Sequence, residues 1–168
     1  RQVSLLYLDG FGPAAFIETR SLLREYRVGS AAVRALAGVD LQVNRGEFLA
    51  VLGVSGSGKS TLLHLLGGLD TPTSGRVLVD GRDLAAFNAS QRTLHRRTVV
   101  GFVFQAYYLV PSLTAEENVA LALTFQGTFG PERRRLAAEA IGRVGLSHRA
   151  GHRPSQLSGG EQQRVAIA

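Results

Sequence analysis

The run GVSGSGKST, Gly53 to Thr61, sets glycines, a lysine and a serine at a spacing that can hold a phosphate chain. Gly53, Gly58, Lys59 and Ser60 fit G-x-x-x-x-G-K-[ST] without a gap, with Gly56 as a further glycine inside the loop. Glycine lets the backbone take positive φ and come close to a ligand. The N–H groups of Val54, Ser55, Gly56, Ser57 and Gly58 can then converge as an anion nest, and a helix start at Lys59 to Thr61 adds its dipole. Lys59 is the only lysine in the chain; every other Lys-or-Arg position is arginine. An ammonium on a flexible stem can reach round a loop to β- and γ-phosphates, where a rigid guanidinium fork cannot follow the same path. Ser60 offers a hydroxyl to Mg²⁺. Four fixed positions match by accident in roughly one chain in a hundred of this length, and a strand before and a helix after make accident rarer still.

A second candidate anion site lies in LSGGEQQRVAIA, Leu157 to Ala168. Ser158 and Glu161 are spaced as a capping box, so Ser158, Gly159 and Gly160 stand at a helix start with N–H groups and a hydroxyl.

The elements that must position these loops can be read from pattern. FIETRSLLREYRV is expected as a strand ending near Tyr26, VRALAGVDLQV as a second and EFLAVLG as a short strand running into the glycine loop. Leu62, Leu63, Leu65 and Leu66 predict a helix buried over most of its surface and ended by Gly67-Gly68. Asp80-Gly81 between apolar residues signals a hairpin, and TVVGFVFQ reads as a strand ending at Gln105. Beyond Ala106 the chain turns mainly helical, residues 106–157 forming a helical subdomain. Thr114 and Glu117 form a capping box, Pro131 opens a helix that Gly145 stops, and Ser158 opens the last one.

The 168 residues suffice for one domain with a real core, and 45% hydrophobic with 19% charged residues is ordinary for a globular protein. Cysteine is absent, which excludes disulfides, zinc–thiolate sites and cysteine nucleophiles. No apolar run approaches the roughly 20 residues of a membrane span. Net charge is +6, but the arginines are spread along the chain, so no nucleic-acid partner is expected. His148 and His152 lack a third ligand nearby; Arg96-Arg97 and Arg133 to Arg135 read as solvated faces. Methionine is absent and the chain stops inside an apolar run, so it reads as a piece of a longer protein, with residues 1–15 an uncertain lead.

The glycine loop followed by LSGGEQQRVAIA resembles the ATP-binding cassette (ABC) ATPases, over roughly residues 16–168. The resemblance implies an α/β P-loop NTPase core with an antiparallel β subdomain and a helical subdomain, binding ATP and Mg²⁺. It implies that Gln105 is the glutamine that helps hold Mg²⁺ and the attacking water. Tyr26 stands where the family stacks an aromatic on adenine, and Val33 lines the same pocket. Phe102, Val103 and Phe104 are expected in the core near the nucleotide. Ser158, Gly159 and Gly160 would complete the site of a second cassette in a head-to-tail dimer. Val54 departs from the proline of many members. The family's Walker B aspartate, catalytic glutamate and switch histidine follow the signature, so turnover is expected of the full-length protein only.

GGLDTPTSGRV, FVFQAYYLVPSLTAEENVALAL and VGLSHRAGHRPSQLSGGEQQRVAIA resemble the branch serving lipoprotein release and macrolide export. That implies a peripheral protein on the cytoplasmic face of the cell membrane, driving a transmembrane permease subunit. Contact with the permease is expected at Ala106 to Leu113, with Tyr107, Tyr108 and Leu109 as its exposed candidates; the alternative is that these tyrosines pack inside the helical subdomain. Two other readings stay open: a nucleotide-binding regulatory partner without turnover, and a soluble ABC protein acting on nucleic acid.

Overall fold

A computed structural model describes residues 4–6 and 15–168 of the chain. The sequence-based reading of the lead as patternless falls on residues 1–3 and 7–14, outside the described residues. Ser4–Leu6 itself is a strand, β1. The following elements are β2 (Ile17–Val28), β3 (Ala31–Val43), β4 (Ala50–Leu52), α1 (Lys59–Leu66), β5 (Ser74–Val79), β6 (Arg82–Asp83), α2 (Ala89–Thr98), α3 (Ala115–Phe125), α4 (Gly130–Arg143) and α5 (Gly159–Ile167). They fall into two units, Arg1–Val100 and Gly101–Ala168.

In the first unit β3, β2, β5 and β6 form a four-stranded antiparallel sheet in that order, and β1 pairs antiparallel with β4. Alternation sets the faces where the register is regular: Val77 and Val79 are buried on β5, and Leu41 and Val43 on β3, while Leu36, out of phase with those two beyond a shift in the β2–β3 register, is buried as well. The Leu22, Leu36, Val77 and Val79 side chains pack with Leu62 and Leu65 of α1 in one cluster. Each fully buried leucine contributes about 2 kcal/mol of transfer free energy. This packing fixes α1 on the sheet, and with it the loop that precedes α1. The Asp80-Gly81 turn is as expected: both residues have positive φ, 50° and 72°, and Val79 pairs with Arg82.

Two local readings need correction. EFLAVLG forms a strand only at Ala50–Leu52, and Phe48 is 75% exposed. No sequence-based element falls on residues 85–97, where α2 begins at Ala89, started by an Asn88–Gln91 capping box of the same kind as Thr114–Glu117. Arg96 of α2 is not a solvated charge: its Nη1 donates to the Gly68 carbonyl at 2.9 Å, just past the C-terminus of α1, where a cation is favoured.

In the second unit α3, α4 and α5 pack Val119, Ile141, Leu146, Leu157 and Val165 together. All three sequence-based start signals are present: Thr114 and Ser158 cap with Glu117 and Glu161, and Pro131 lies in the first turn of α4. The orphan N–H groups of Ala115 and Glu116 are taken by the His152 and Ala150 carbonyls. Arg133 is half-buried, its Nη1 donating to Thr124 Oγ1 at 2.9 Å.

The expected strand TVVGFVFQ is absent: Thr98 ends α2, and 99–105 is irregular. Phe102 and Phe104 do stack, with centroids 5.6 Å apart, as side chains two apart on an extended chain should. What the segment lacks among the described residues is a paired neighbour to take its backbone hydrogen bonds. It is not core either: Val103 is 54% exposed and both phenylalanines are half-buried.

Candidate functional site

β4 runs into the glycine loop, and α1 leaves it. Gly58 is the N-cap of α1 with φ 97°, and no side chain caps the helix, so its first-turn N–H groups are left for a ligand. Gly56 also has positive φ, 73°. A Cβ on Gly58 would stand 2.9 Å from Leu36 Cδ2 and inside the contact distance of the Ala35 carbonyl oxygen. Only glycine fits so close to β3. Ala35 is itself the extra residue of a bulge, since Arg24 pairs with Leu36 and Glu25 with Arg34.

Lys59 folds back across the loop, its Nζ donating to the Gly53 and Val54 carbonyls at 2.7 and 2.8 Å. Those bonds place the only lysine over the mouth of the nest, where a phosphate chain would replace two neutral acceptors with charged ones. Ser60, the second residue of α1, is exposed, and Ser57 is buried with its hydroxyl unpartnered among the described residues. A nest of glycine-loop N–H groups, an uncapped helix start and a lysine cation held across the loop fit a nucleoside triphosphate. The exposed Ser60 hydroxyl fits the Mg²⁺ that accompanies one.

The loop forms one wall of a groove of about 1020 Å³; Ser55 to Thr61 face Tyr26, Val33 and the β3 backbone across it. Tyr26 and Val33 are directly paired across β2 and β3. The Tyr26 ring carries the Arg24 guanidinium over one face, 4.5 Å from its centroid, and its hydroxyl donates to Asp70 Oδ2 at 2.8 Å. Val33 is 50% exposed. A groove with phosphate-holding groups at one wall and an aromatic ring with an aliphatic neighbour at the other has the polarity of a nucleotide.

In the second unit Gln105 is exposed in a turn. Tyr107 and Tyr108 follow with φ 58° and 48°, a left-handed conformation that costs L-residues about 1 kcal/mol or more each. Tyr108 is 73% exposed, its ring edge-on to Phe104 at 5.2 Å. Tyr107 and Leu109, expected as exposed, are half-buried. Asn118, which pattern alone did not single out, holds the following segment. Its Nδ2 donates to the Val110, Leu113 and Thr114 carbonyls, and its Oδ1 accepts from Val110 N at 2.7 Å.

At α5 the helix start is partly self-satisfied. Ser158 Oγ accepts from Glu161 N at 3.3 Å, and Glu161 Oε2 accepts from Ser158 N at 2.7 Å. These bonds, the backbone one foremost, hold the Glu161 carboxyl below the usual carboxylate range. The Gly159 and Gly160 N–H groups remain for an anion. Gln162 anchors the loop before the helix, donating to the Pro154 and Leu157 carbonyls at 2.9 and 3.1 Å. His152, weighed as a metal ligand, sits 3.2 Å from Arg149 Nη1.

Comparison with known proteins agrees with this geometry. A family model described as ABC transporter matches residues 36–168. The lipoprotein-releasing system ATP-binding protein LolD of Pseudomonas syringae pv. tomato is 49% identical over 154 residues, 92% of this chain and 68% of LolD. The macrolide export ATP-binding/permease protein MacB of Brucella melitensis is 48% identical over 155 residues. This chain spans only 24% of the length of that MacB. Among solved structures, the ATP-binding cassette MJ0796, in a dimeric post-hydrolysis state bound to ADP and Pi, superposes with a TM-score of 0.81 at 42% identity. That match covers 90% of this chain and 67% of that one. With its glycine loop, its antiparallel sheet, its helical unit and this likeness, the chain belongs to the ABC transporter family.

Proposed function

We propose that this chain binds ATP with Mg²⁺ and belongs to a protein whose ATP hydrolysis drives a membrane permease of the export or lipoprotein-release kind. The observation that carries the proposal is the groove in which the uncapped start of α1 and Lys59 face Tyr26. Gly53 to Gly58 would wrap the phosphates with backbone N–H groups, Lys59 would reach the β- and γ-phosphates, and Tyr26 with Val33 would hold the base. Ser60 would hold Mg²⁺, which supplies charge neutralisation at the phosphates; the family resemblance alone gives Gln105 a share in that role. Ser158, Gly159 and Gly160 would bind the phosphates held by a second cassette, so the working unit is a dimer. The exposed Tyr108 and the strained 107–108 turn support contact between Ala106–Leu113 and the permease. The protein would then lie peripherally on the cytoplasmic face of the membrane; no helix among the described residues is long and apolar enough to cross one.

Turnover is proposed for the full-length protein. The test is ATP binding and permease-stimulated hydrolysis by that protein, parent against Lys59→Ala. Parent binding in the micromolar range with stimulated turnover, both lost in the variant, is expected. ATP binding without turnover in the presence of permease would instead favour a regulatory role, and salt-dependent RNA or DNA binding a nucleic-acid role.

A further inference from the structure

The chain between α1 and β5 is laced to β2 beside the ring proposed to stack on the base. Thr73 N donates to the Leu23 carbonyl at 2.9 Å, and Thr73 Oγ1 accepts from Glu25 N at 3.0 Å. Asp70, four residues past the last turn of α1, makes the central contacts. Its Oδ1 accepts from Arg24 Nη2 at 2.8 Å, and its Oδ2 accepts from the Tyr26 hydroxyl at 2.8 Å. Arg24 in turn lies over the Tyr26 ring at 4.5 Å. The Asp70 and Arg24 side chains are only 22% and 21% exposed, so the pair is substantially shielded from water. Each member therefore holds the other two. A phenol free to rotate about χ1 and χ2 would have to be ordered on binding. One pinned at its hydroxyl and over one face has those torsions set beforehand, leaving the second face for a ligand.

We infer that Asp70 is the positioning residue of the nucleotide base: through Arg24 and the Tyr26 hydroxyl it fixes the Tyr26 ring relative to α1, the helix whose other end holds the phosphates. The inference rests on the proposed role of Tyr26 in stacking. Asp70 does not touch the nucleotide. It matches the spacing between the ring and the phosphate loop, because its backbone is bonded to α1, its N–H donating to the His64 carbonyl at 3.3 Å. The ring and the loop are thus tied by covalent chain and carboxylate rather than by the sheet alone.

The experiment measures calorimetric affinities of the full-length protein for Mg·ATP and for Mg·tripolyphosphate, which has the phosphates and no base. The variants are Asp70→Asn, Tyr26→Phe and Tyr26→Ala. Asp70→Asn removes the charge facing Arg24 and turns one acceptor into a donor; it should weaken ATP about three- to tenfold. Tyr26→Phe keeps the ring and deletes one bond, so about two- to fivefold is expected. Tyr26→Ala should cost about tenfold or more. Tripolyphosphate affinity should be unchanged in all three. If Tyr26→Ala weakens ATP while Asp70→Asn and Tyr26→Phe do not, the stacking role stands and the positioning role of Asp70 is overturned. If Tyr26→Ala leaves ATP affinity intact, the stacking role falls and this inference with it. Equal loss for ATP and tripolyphosphate in Asp70→Asn would make Asp70 a support of α1 and overturn the inference too. Should Asp70→Asn fold poorly, the milder Tyr26→Phe decides alone by the same split.

Discussion

The contact between Gly58 and the bulged residue Ala35 carries a prediction that separates strain from packing. Gly58 and Gly29 both have left-handed φ, 97° and 62°, but a Cβ at Gly29 meets nothing within 4 Å. Replacing either by alanine incurs the left-handed penalty, about 1–2 kcal/mol. At Gly58 the new methyl also meets the Ala35 carbonyl oxygen, which belongs to strand backbone, and Leu36 Cδ2 at 2.9 Å, which belongs to a core side chain. Neither yields easily, so overpacking adds about 1–3 kcal/mol. Gly58→Ala should then destabilise by about 2–5 kcal/mol and Gly29→Ala by about 1–2. Urea unfolding with unchanged m-values measures both. A second readout is ATP affinity. Gly58→Ala must push the loop off β3 and rotate the N–H groups of the nest, so about tenfold or greater loss is expected, with Gly29→Ala silent. If the two variants were equally stable within about 0.5 kcal/mol and bound ATP alike, the seating of the loop on the β3 bulge would be wrong.

Other outcomes follow from single contacts. Asn118→Asp loses the amide donors to three carbonyls and should cost about 2 kcal/mol or more; thermal unfolding compared with Asn118→Ala checks it. Tyr108→Asp should leave ATP binding unchanged and abolish permease stimulation of hydrolysis; undiminished stimulation would move the partner surface elsewhere. The Glu117 carboxyl is held below the usual range by the Thr114 backbone N–H and then its hydroxyl. Its contribution is therefore present above the ordinary carboxylate pKa and lost as pH falls through the lower folded value. Glu117→Gln should flatten the acid limb of stability against pH. His95 is 7% exposed, and burial first and then Arg96 push its imidazole below the ordinary histidine range. Its contribution is complete above about pH 6.5 and is lost as pH falls through the folded value, so His95→Gln should reduce the slope between about pH 7 and 5.

What sequence disclosed was local. The glycine loop, the capping boxes at Thr114 and Ser158, Pro131 and the Asp80-Gly81 turn all depend on residues a few positions apart, and each forms as read. α2 has the same kind of local signal in Asn88–Gln91, but SQRTLHRR has only one aliphatic residue, so no apolar period drew attention to it. Non-local features were not legible. Whether an extended run such as VVGFVFQ becomes a strand depends on a neighbour that sequence does not name. The bond from Tyr26 to Asp70 spans 44 residues, and neither residue type announces the other. The bulge at Ala35 shows only as an extra residue between paired neighbours, and the packing of Gly58 against it only in three dimensions. Asn118 in EENVALAL looks like an ordinary polar helix position until the carbonyls of the preceding loop converge on it.

The two helix starts proposed to meet phosphate are built on opposite plans. α1 has a glycine N-cap and no acidic residue in its first turn, so nothing of its own competes for the N–H groups. α5 has a serine N-cap locked to Glu161, whose carboxylate stands in the first turn and already takes the Ser158 N–H. That carboxylate satisfies the helix dipole and repels a further anion, so the α5 start by itself is the weaker phosphate site. A weak site suffices if the phosphates reach it already held by the loop of another cassette, because the second contact then works at high effective concentration. It would also stay empty without that cassette, so under the proposed function nucleotide would bind first at Lys59 and the α5 start would respond to it. The difference between Gly58 and Ser158 at one structural position of two helices would thus order the proposed events: binding at the glycine loop, then pairing through the serine.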